Sequence, residues 1–86
     1  MNWNDAAEEL LNNILLRTPR PVRDTTEQDI RRTAEQMAEE ESKQRVGVET
    51  VIAAWVETTP EALRSALPQQ MESFGLDPSD YEHLLG

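Results

Sequence analysis

Apolar residues near the N-terminus recur at intervals of three and four positions, the spacing that places side chains on one face of an α-helix. This pattern predicts a helix over Asp5–Leu16, with Asn4 as its N-terminal cap. The predicted buried face consists of Trp3, Ala7, Leu10, Leu11, Ile14 and Leu15. The charged and amide side chains point the other way, so this helix should lie on a core.

A second, longer helix follows a corner made by Pro19 and Pro21, because each proline lacks a donor and disfavours helix in the residue before it. Two starts are open: Pro21 in the first turn, or Asp24 with Glu27 as an acidic capping box. The helix should run to about residue 44. Its narrow face carries mostly small side chains, namely Val22, Thr26, Ile30, Ala34, Met37 and Ala38. A face of this kind lets another helix approach closely.

The outer face of the second helix carries opposite charges four residues apart. The predicted pairs are Glu27 with Arg31, Arg31 with Glu35, and Glu39 with Lys43. Each such pair stabilises a helix by only about 0.2–0.5 kcal/mol. These pairs should therefore keep the helix persistent and hydrated without fixing its place in the fold.

A third helix is predicted over Val48–Thr58, after a turn at Gly47, and it is apolar on most sides. It should be the most buried element and pack on the second helix. No run of residues alternates apolar and polar with β-branched enrichment, so no strand is predicted. The fold class is therefore all-α, with a three-helix bundle formed by residues 1–58.

Residues 59–86 are predicted to form a helical extension broken by prolines at Pro60, Pro68 and Pro78. Gly75 is a predicted helix C-cap, and the stretch from Asp77 to Asp80 is a predicted helix start. Two alternatives are open for this extension: it packs on the bundle, or it docks on a partner. The residues predicted to contact a partner are Met71, Glu72, Phe74, Asp77, Asp80, Tyr81 and Glu82.

Acidic residues outnumber basic ones by 17 to 8 in this chain of 86 residues, for a net charge of −9. The excess grows toward the C-terminus, where residues 57–86 hold six acidic residues against Arg64 alone. Such a surface repels nucleic acid and anionic membranes. The charge favours a protein partner with a basic surface.

The sequence contains few side chains of the kinds that catalyse reactions or bind metals. It contains no cysteine and a single histidine, which excludes disulfides, thiolate metal sites and a histidine cluster. Asp80, Tyr81, Glu82 and His83 could form an acid-base group, but they lie on a short terminal segment with no rigid scaffold. The three consecutive acids at residues 39–41 face different directions on a helix, which suits a solvated surface better than a cation site. We expect no catalytic residue, cofactor or metal, and no signal peptide or membrane span, so the expected location is cytoplasmic.

A set of short motifs resembles the small C-terminal helical domain of the B subunit of light-independent protochlorophyllide reductase. The residues that carry it are Trp3, Ala6, Ala7, Leu10, Pro19, Val22, Arg23, Ile30, Ala34, Val48, Glu49, Thr50, Val51 and Ala54. Val46 and Gly47 stand where the family usually has Ile-Thr. The resemblance covers about residues 3–57, and Arg20 and Pro21 replace the family's aromatic pair. It implies a helical accessory module associated with redox or tetrapyrrole enzymes, without the reductase activity itself.

These observations lead to one functional hypothesis and two alternatives. The leading hypothesis is a non-catalytic regulatory or docking protein that binds an enzyme, ferredoxin-dependent or tetrapyrrole-related, through its acidic surface. The first alternative is a structural accessory subunit of a reductase or photosynthetic assembly, held by apolar contacts. The second is an enzyme that acts alone.

Overall fold

Three helices enclose the core of the protein in a computed structural model that describes residues 1–85. They are α1 (Asp5–Leu16), α2 (Arg20–Glu40) and α3 (Val48–Thr58), and the bounds of α1 and α3 are those predicted. Along α2, the residues that face α3 include Ile30, Ala34 and Ala38, all 0% exposed. Because two of these three are alanines, α3 can pack closely against α2 and bury Val51, Ile52, Ala54, Trp55 and Val56.

The start of α2 matches the first of the two predicted alternatives. Pro21 lies in the first turn, where its missing N–H group would have had no partner within the helix. Asp24, the other predicted start, lies inside the helix.

The helix ends at Glu40, four residues earlier than predicted, because the chain turns into a left-handed conformation at Ser42 (φ 59°). The Ser42 and Lys43 N–H groups donate to the carbonyls of Glu39 (3.0 Å) and Ala38 (2.8 Å). This pattern is a Schellman motif, which satisfies carbonyls at a helix end.

A very small parallel sheet joins the N-terminus to the chain between α2 and α3. Its strands are β1 (Asn2–Trp3) and β2 (Arg45–Val46), with Asn2 opposite Arg45 and Trp3 opposite Val46. The prediction of no strand is wrong here, because two residues are too few to show an alternating pattern. The fold is mostly helical rather than all-α.

The pairing continues at Asn4, whose N–H group donates to the Val46 carbonyl (3.0 Å). Asn4 occupies the N-cap position of α1, but its side chain makes no capping hydrogen bond. The predicted capping role of that side chain is therefore wrong, and the backbone of Asn4 forms part of the N-terminal tie instead.

The C-terminal extension packs on the three helices, so this part of the chain continues the same core. It contains a 3₁₀ turn (Glu61–Ala66), α4 (Leu67–Ser73), a second 3₁₀ turn (Pro78–Tyr81) and α5 (Glu82–Leu85). Leu67 and Met71 are 2% and 0% exposed within this core. Pro68 lies in the first turn of α4, so it begins a helix that it was predicted to interrupt. Gly86, the last residue of the predicted extension, lies outside the described residues.

Gly75 ends α4 in the predicted C-cap role. Its φ of +81° is left-handed, its N–H group donates to Glu72 (3.0 Å), and the Leu76 N–H group donates to Met71 (2.9 Å). This is a second Schellman motif, and here the left-handed position is held by glycine.

None of the helices described within residues 1–85 combines the length and the apolar composition that a membrane span requires.

Serine holds the left-handed position in one Schellman motif and glycine holds it in the other. Substitutions at the two positions should therefore change the stability of the protein in opposite directions. We expect Gly75→Ala to lower the free energy of unfolding by about 1 kcal/mol, because a side chain is strained in the left-handed region. Ser42→Gly should leave stability unchanged or raise it by up to about 0.5 kcal/mol, since relief of strain exceeds the entropy that glycine adds to the unfolded chain. Urea denaturation measures both variants. A loss of stability in Ser42→Gly equal to that in Gly75→Ala would contradict the assignment.

Candidate functional site

The predicted contact residues divide into exposed acids and packed apolar side chains. Glu72, Asp77, Asp80 and Glu82 are exposed. The three predicted apolar contacts lie against the core: Phe74 and Tyr81 are half-buried, and Met71 is 0% exposed. The structure therefore places Met71 in the core rather than on a contact surface.

Phe74 is held between two neighbours that leave it little freedom to act as an anchor for a partner. Its ring centroid lies 5.8 Å from that of Trp55 at a 48° tilt, and the guanidinium carbon of Arg17 lies 4.8 Å from the ring. Aromatic pairs and cation–π contacts each stabilise by about 0.5–1.5 kcal/mol. Phe74 thus fastens the end of α4 to α1 and α3.

Asp77 has a local structural role as well as a surface charge. Its carboxylate accepts hydrogen bonds from the Ser79 N–H group (3.0 Å) and the Ser79 hydroxyl (2.8 Å), which caps the turn Pro78–Tyr81. These bonds, the hydroxyl's first, hold the pKa of Asp77 below its ordinary value. The predicted helix start at this position is confirmed.

The C-terminal extension displays negative charge that its own cations do not neutralise. All six carboxylates of residues 57–85 are exposed, and none makes an ion pair among the residues that the structure describes. They are Glu57, Glu61, Glu72, Asp77, Asp80 and Glu82. Arg64, the one arginine or lysine of this stretch, donates to the backbone carbonyls of Thr59 (3.1 Å) and Glu57 (3.5 Å). The result is a continuous chain segment with exposed, unpaired acids.

The imagined acid-base group at the C-terminus is dispersed. The Nε2 atom of His83 lies 3.3 Å from Oε1 of Glu49 on α3, and both side chains are more than half exposed. Asp80 and Glu82 make no hydrogen bond with His83 within the described part of the chain. Within residues 1–85, no three acidic or histidine side chains converge as metal ligands, and the acids at residues 39–41 are exposed.

An ionic cluster around Arg31 ties the N-terminus to α2. The Arg31 guanidinium donates to both carboxylate oxygens of Glu8 on α1 (2.7 and 3.1 Å) and to Glu27 (3.0 Å). The guanidinium carbon of Arg31 lies 4.8 Å from the centroid of the Trp3 ring, and the Trp3 indole N–H donates to Glu35 (2.9 Å). One cation therefore links β1, α1 and α2.

The sequence predicted part of this cluster. The Glu27–Arg31 pair is confirmed, but Glu35 binds Trp3 instead of Arg31, and Lys43 pairs with Glu41 (2.8 Å) instead of Glu39. The Glu8–Arg31 pair was missed because its members are 23 positions apart and no local spacing connects them. The hydrogen bond from Arg31, outweighing partial burial, holds the pKa of Glu8 below its ordinary value.

The fold and charge define a small, mostly helical domain with an acidic C-terminal segment. Residues 1–85 match the family described as a protein of unknown function (DUF2621), and the chain belongs to that family. No curated protein matches the chain, and no solved structure does.

The family match corrects the resemblance to the protochlorophyllide reductase domain. That resemblance stopped near residue 57, whereas the family match extends to residue 85 and includes the acidic extension. The association with tetrapyrrole enzymes that this resemblance implied is withdrawn with it.

The Glu8–Arg31 pair makes stability depend on pH in the acid range. Because the folded-state pKa of Glu8 is depressed, its contribution is present above the unfolded pKa of about 4.3 and is lost as pH falls through the folded value. We expect Glu8→Gln to cost about 0.5–1 kcal/mol near pH 7 for this partly exposed pair, and less near pH 3.

Urea denaturation of the wild type and the variant at both pH values measures this difference. Glu9→Gln is the matched control, since Glu9 is exposed and makes no ion pair among residues 1–85. An equal cost of Glu8→Gln at the two pH values would contradict the predicted linkage.

Proposed function

We propose that this protein is a non-catalytic docking protein whose acidic C-terminal face binds a basic surface of another protein. The observation that carries the proposal is the set of four exposed, unpaired carboxylates near the C-terminus, Glu72, Asp77, Asp80 and Glu82. Elsewhere in the chain, Glu8, Glu27 and Asp29 pair with arginines, and exposed acids that do not, such as Asp24 and Glu39, lie on a helix that carries four arginines. An opposing basic surface would supply the missing counter-charges.

Packing of the extension supports this function, because it presents the acids on a folded scaffold. Leu67 and Met71 are buried in the core, and Phe74 is fixed by Trp55 and Arg17. A surface ordered before binding loses less conformational entropy when a partner arrives. Glu72 lies between these packed positions in the chain, Asp77, Asp80 and Glu82 follow them, and all four side chains are exposed.

The chemistry of the face indicates what kind of binding to expect. Exposed charges attract over about 10 Å at 0.1 M salt and over about 3 Å at 1 M salt, so they accelerate association and lose strength as salt rises. With Met71 in the core and Phe74 occupied, few apolar anchors are available on this face. Binding should therefore be electrostatic, reversible and sensitive to ionic strength.

The test compares two triple variants with the same net charge. The first neutralises the face with Glu72→Gln, Asp80→Asn and Glu82→Gln. The control neutralises Asp24→Asn, Glu39→Gln and Glu40→Gln, which are exposed and unpaired within residues 1–85. Asp77 is left intact because it caps a turn. Circular dichroism is used to check that both variants fold.

Each immobilised protein is exposed to an extract of its own cells at about 0.05 M and about 0.5 M salt. The recovered partner is then purified and titrated against the three proteins. We expect the first variant to weaken binding about tenfold, because exposed ion pairs contribute roughly 0.2–1 kcal/mol each. The control should change binding far less. A partner whose affinity is indifferent to salt, or equally reduced by both variants, would refute docking through this face.

A further inference from the structure

A groove lies where the end of α1, the first half of α2 and the end of α3 meet. Its volume is about 240 Å³, and its lining includes Ile14, Thr18, Thr26, Asp29, Trp55 and Leu63. Ile14 and Trp55 are 4% and 6% exposed, so they form an apolar floor. We call this site the Trp55 groove.

One exposed apolar side chain lines the Trp55 groove, and a second lies one helical turn from a lining residue. Leu63, which lines it, is 60% exposed, and Val22, one helical turn before Thr26, is 49% exposed. The described residues hold only four large apolar side chains with such exposure, the others being Met1 and Leu16. The groove therefore combines a recess with projecting apolar groups on one face.

Three of the hydroxyl groups that line the groove donate to backbone carbonyls of the protein itself, and the Asp29 carboxylate is paired with Arg32. The Thr18 hydroxyl donates to the Ile14 carbonyl (2.9 Å), and those of Thr58 and Thr59 donate to carbonyls at the end of α3. The recess is also smaller than the roughly 300–1,000 Å³ typical of small-molecule sites. An apolar side chain from a protein surface suits it better than a polar ligand.

Charge around the Trp55 groove differs from charge elsewhere on the molecule. Three arginines contact lining residues: Arg23 donates to Thr18, Arg64 to Thr59, and Arg32 to Asp29. Two carboxylates accompany them, Asp29 in the lining and Glu61 beside Pro60. Positive and negative groups are thus nearly balanced here, in a protein whose net charge is −9.

We propose that the Trp55 groove is the contact surface for a second copy of this chain. In a two-fold contact the same patch serves both subunits, so it must be self-complementary. The groove offers a recess beside a projecting Leu63, and arginines beside carboxylates, so each copy can supply what the other accepts. Two copies meeting through their acidic C-terminal faces would instead repel.

The contact should be weak. A standard interface covers about 800 Å² on each partner, about a seventh of the 5595 Å² of accessible surface on this protein. A recess with two projecting side chains covers less than that. We therefore expect a dissociation constant between about 0.1 and 1 mM.

Salt separates this proposal from docking to a basic partner, on which it does not depend. Two chains of charge −9 repel each other over distance, and salt screens that repulsion. Because the repulsion between two whole chains outweighs the attraction of the few opposite charges at the groove, self-association should strengthen as salt rises from about 0.05 to about 0.5 M. Binding of a basic partner should weaken over the same range. Either proposal can fail while the other stands.

Sedimentation equilibrium of the full chain at protein concentrations up to about 2 mM, at both salt levels, tests the proposal. We expect Leu63→Gln to weaken the dimer by about tenfold or more, since each copy would lose one buried leucine side chain. Leu16→Gln is the matched control, because Leu16 is 73% exposed and does not line the groove. The Leu16→Gln variant should dimerise with the same dissociation constant as the wild type.

Amide chemical shifts followed against protein concentration locate the contact independently. Changes centred on Val22, Thr26 and Leu63 support the proposal. A chain that stays monomeric at both salt levels would overturn it. So would a dimer that salt weakens, one that Leu63→Gln leaves intact, or shifts confined to the C-terminal acids.

Discussion

Close packing of α3 on α2 is the contact on which the rest of the fold depends. Ile30, Ala34 and Ala38 are fully buried on α2, and the small side chains of the two alanines let α3 bring Val51 and Ile52 into the core. Every other element is then placed against this pair of helices. The α1 helix covers one side, β2 is anchored through fully buried Val46, and α4 closes the core with Met71. A bulky or charged side chain at Ala34 would displace the common support of all three.

The same packing separates the surfaces to which we assign binding roles. From Leu67 onward in the C-terminal extension, apolar residues turn inward and the acids between them stay exposed and unpaired within the described chain. At the Trp55 groove, arginines and carboxylates surround an apolar recess. The first surface suits a basic protein, and the second suits another copy of the chain. We base both assignments on the local balance of charge, which is negative on the first surface and nearly even at the second.

The corrected family assignment has a physical explanation. Pro19 before α2, Val22 with Ile30 along α2, and Val51 with Ala54 in α3 are a helix start and two apolar stripes. Such features recur in unrelated helical domains because they encode local structure. A match confined to them carries little information about function, whereas the family match spans the acidic extension as well.

The sequence alone determined the elements whose causes are local. Apolar periodicity located α1 and α3, and Gly75 ended α4 as expected of a residue free to adopt positive φ. Tertiary structure decided the rest: the pairing of Trp3 with Val46, the burial of Met71, and the choice of Glu8 as partner for Arg31. Each joins residues far apart in the chain, and short-range spacing holds no record of such contacts. For the same reason the acidic composition was evident from the sequence, while the lack of internal counter-ions around those acids became visible only in the folded protein.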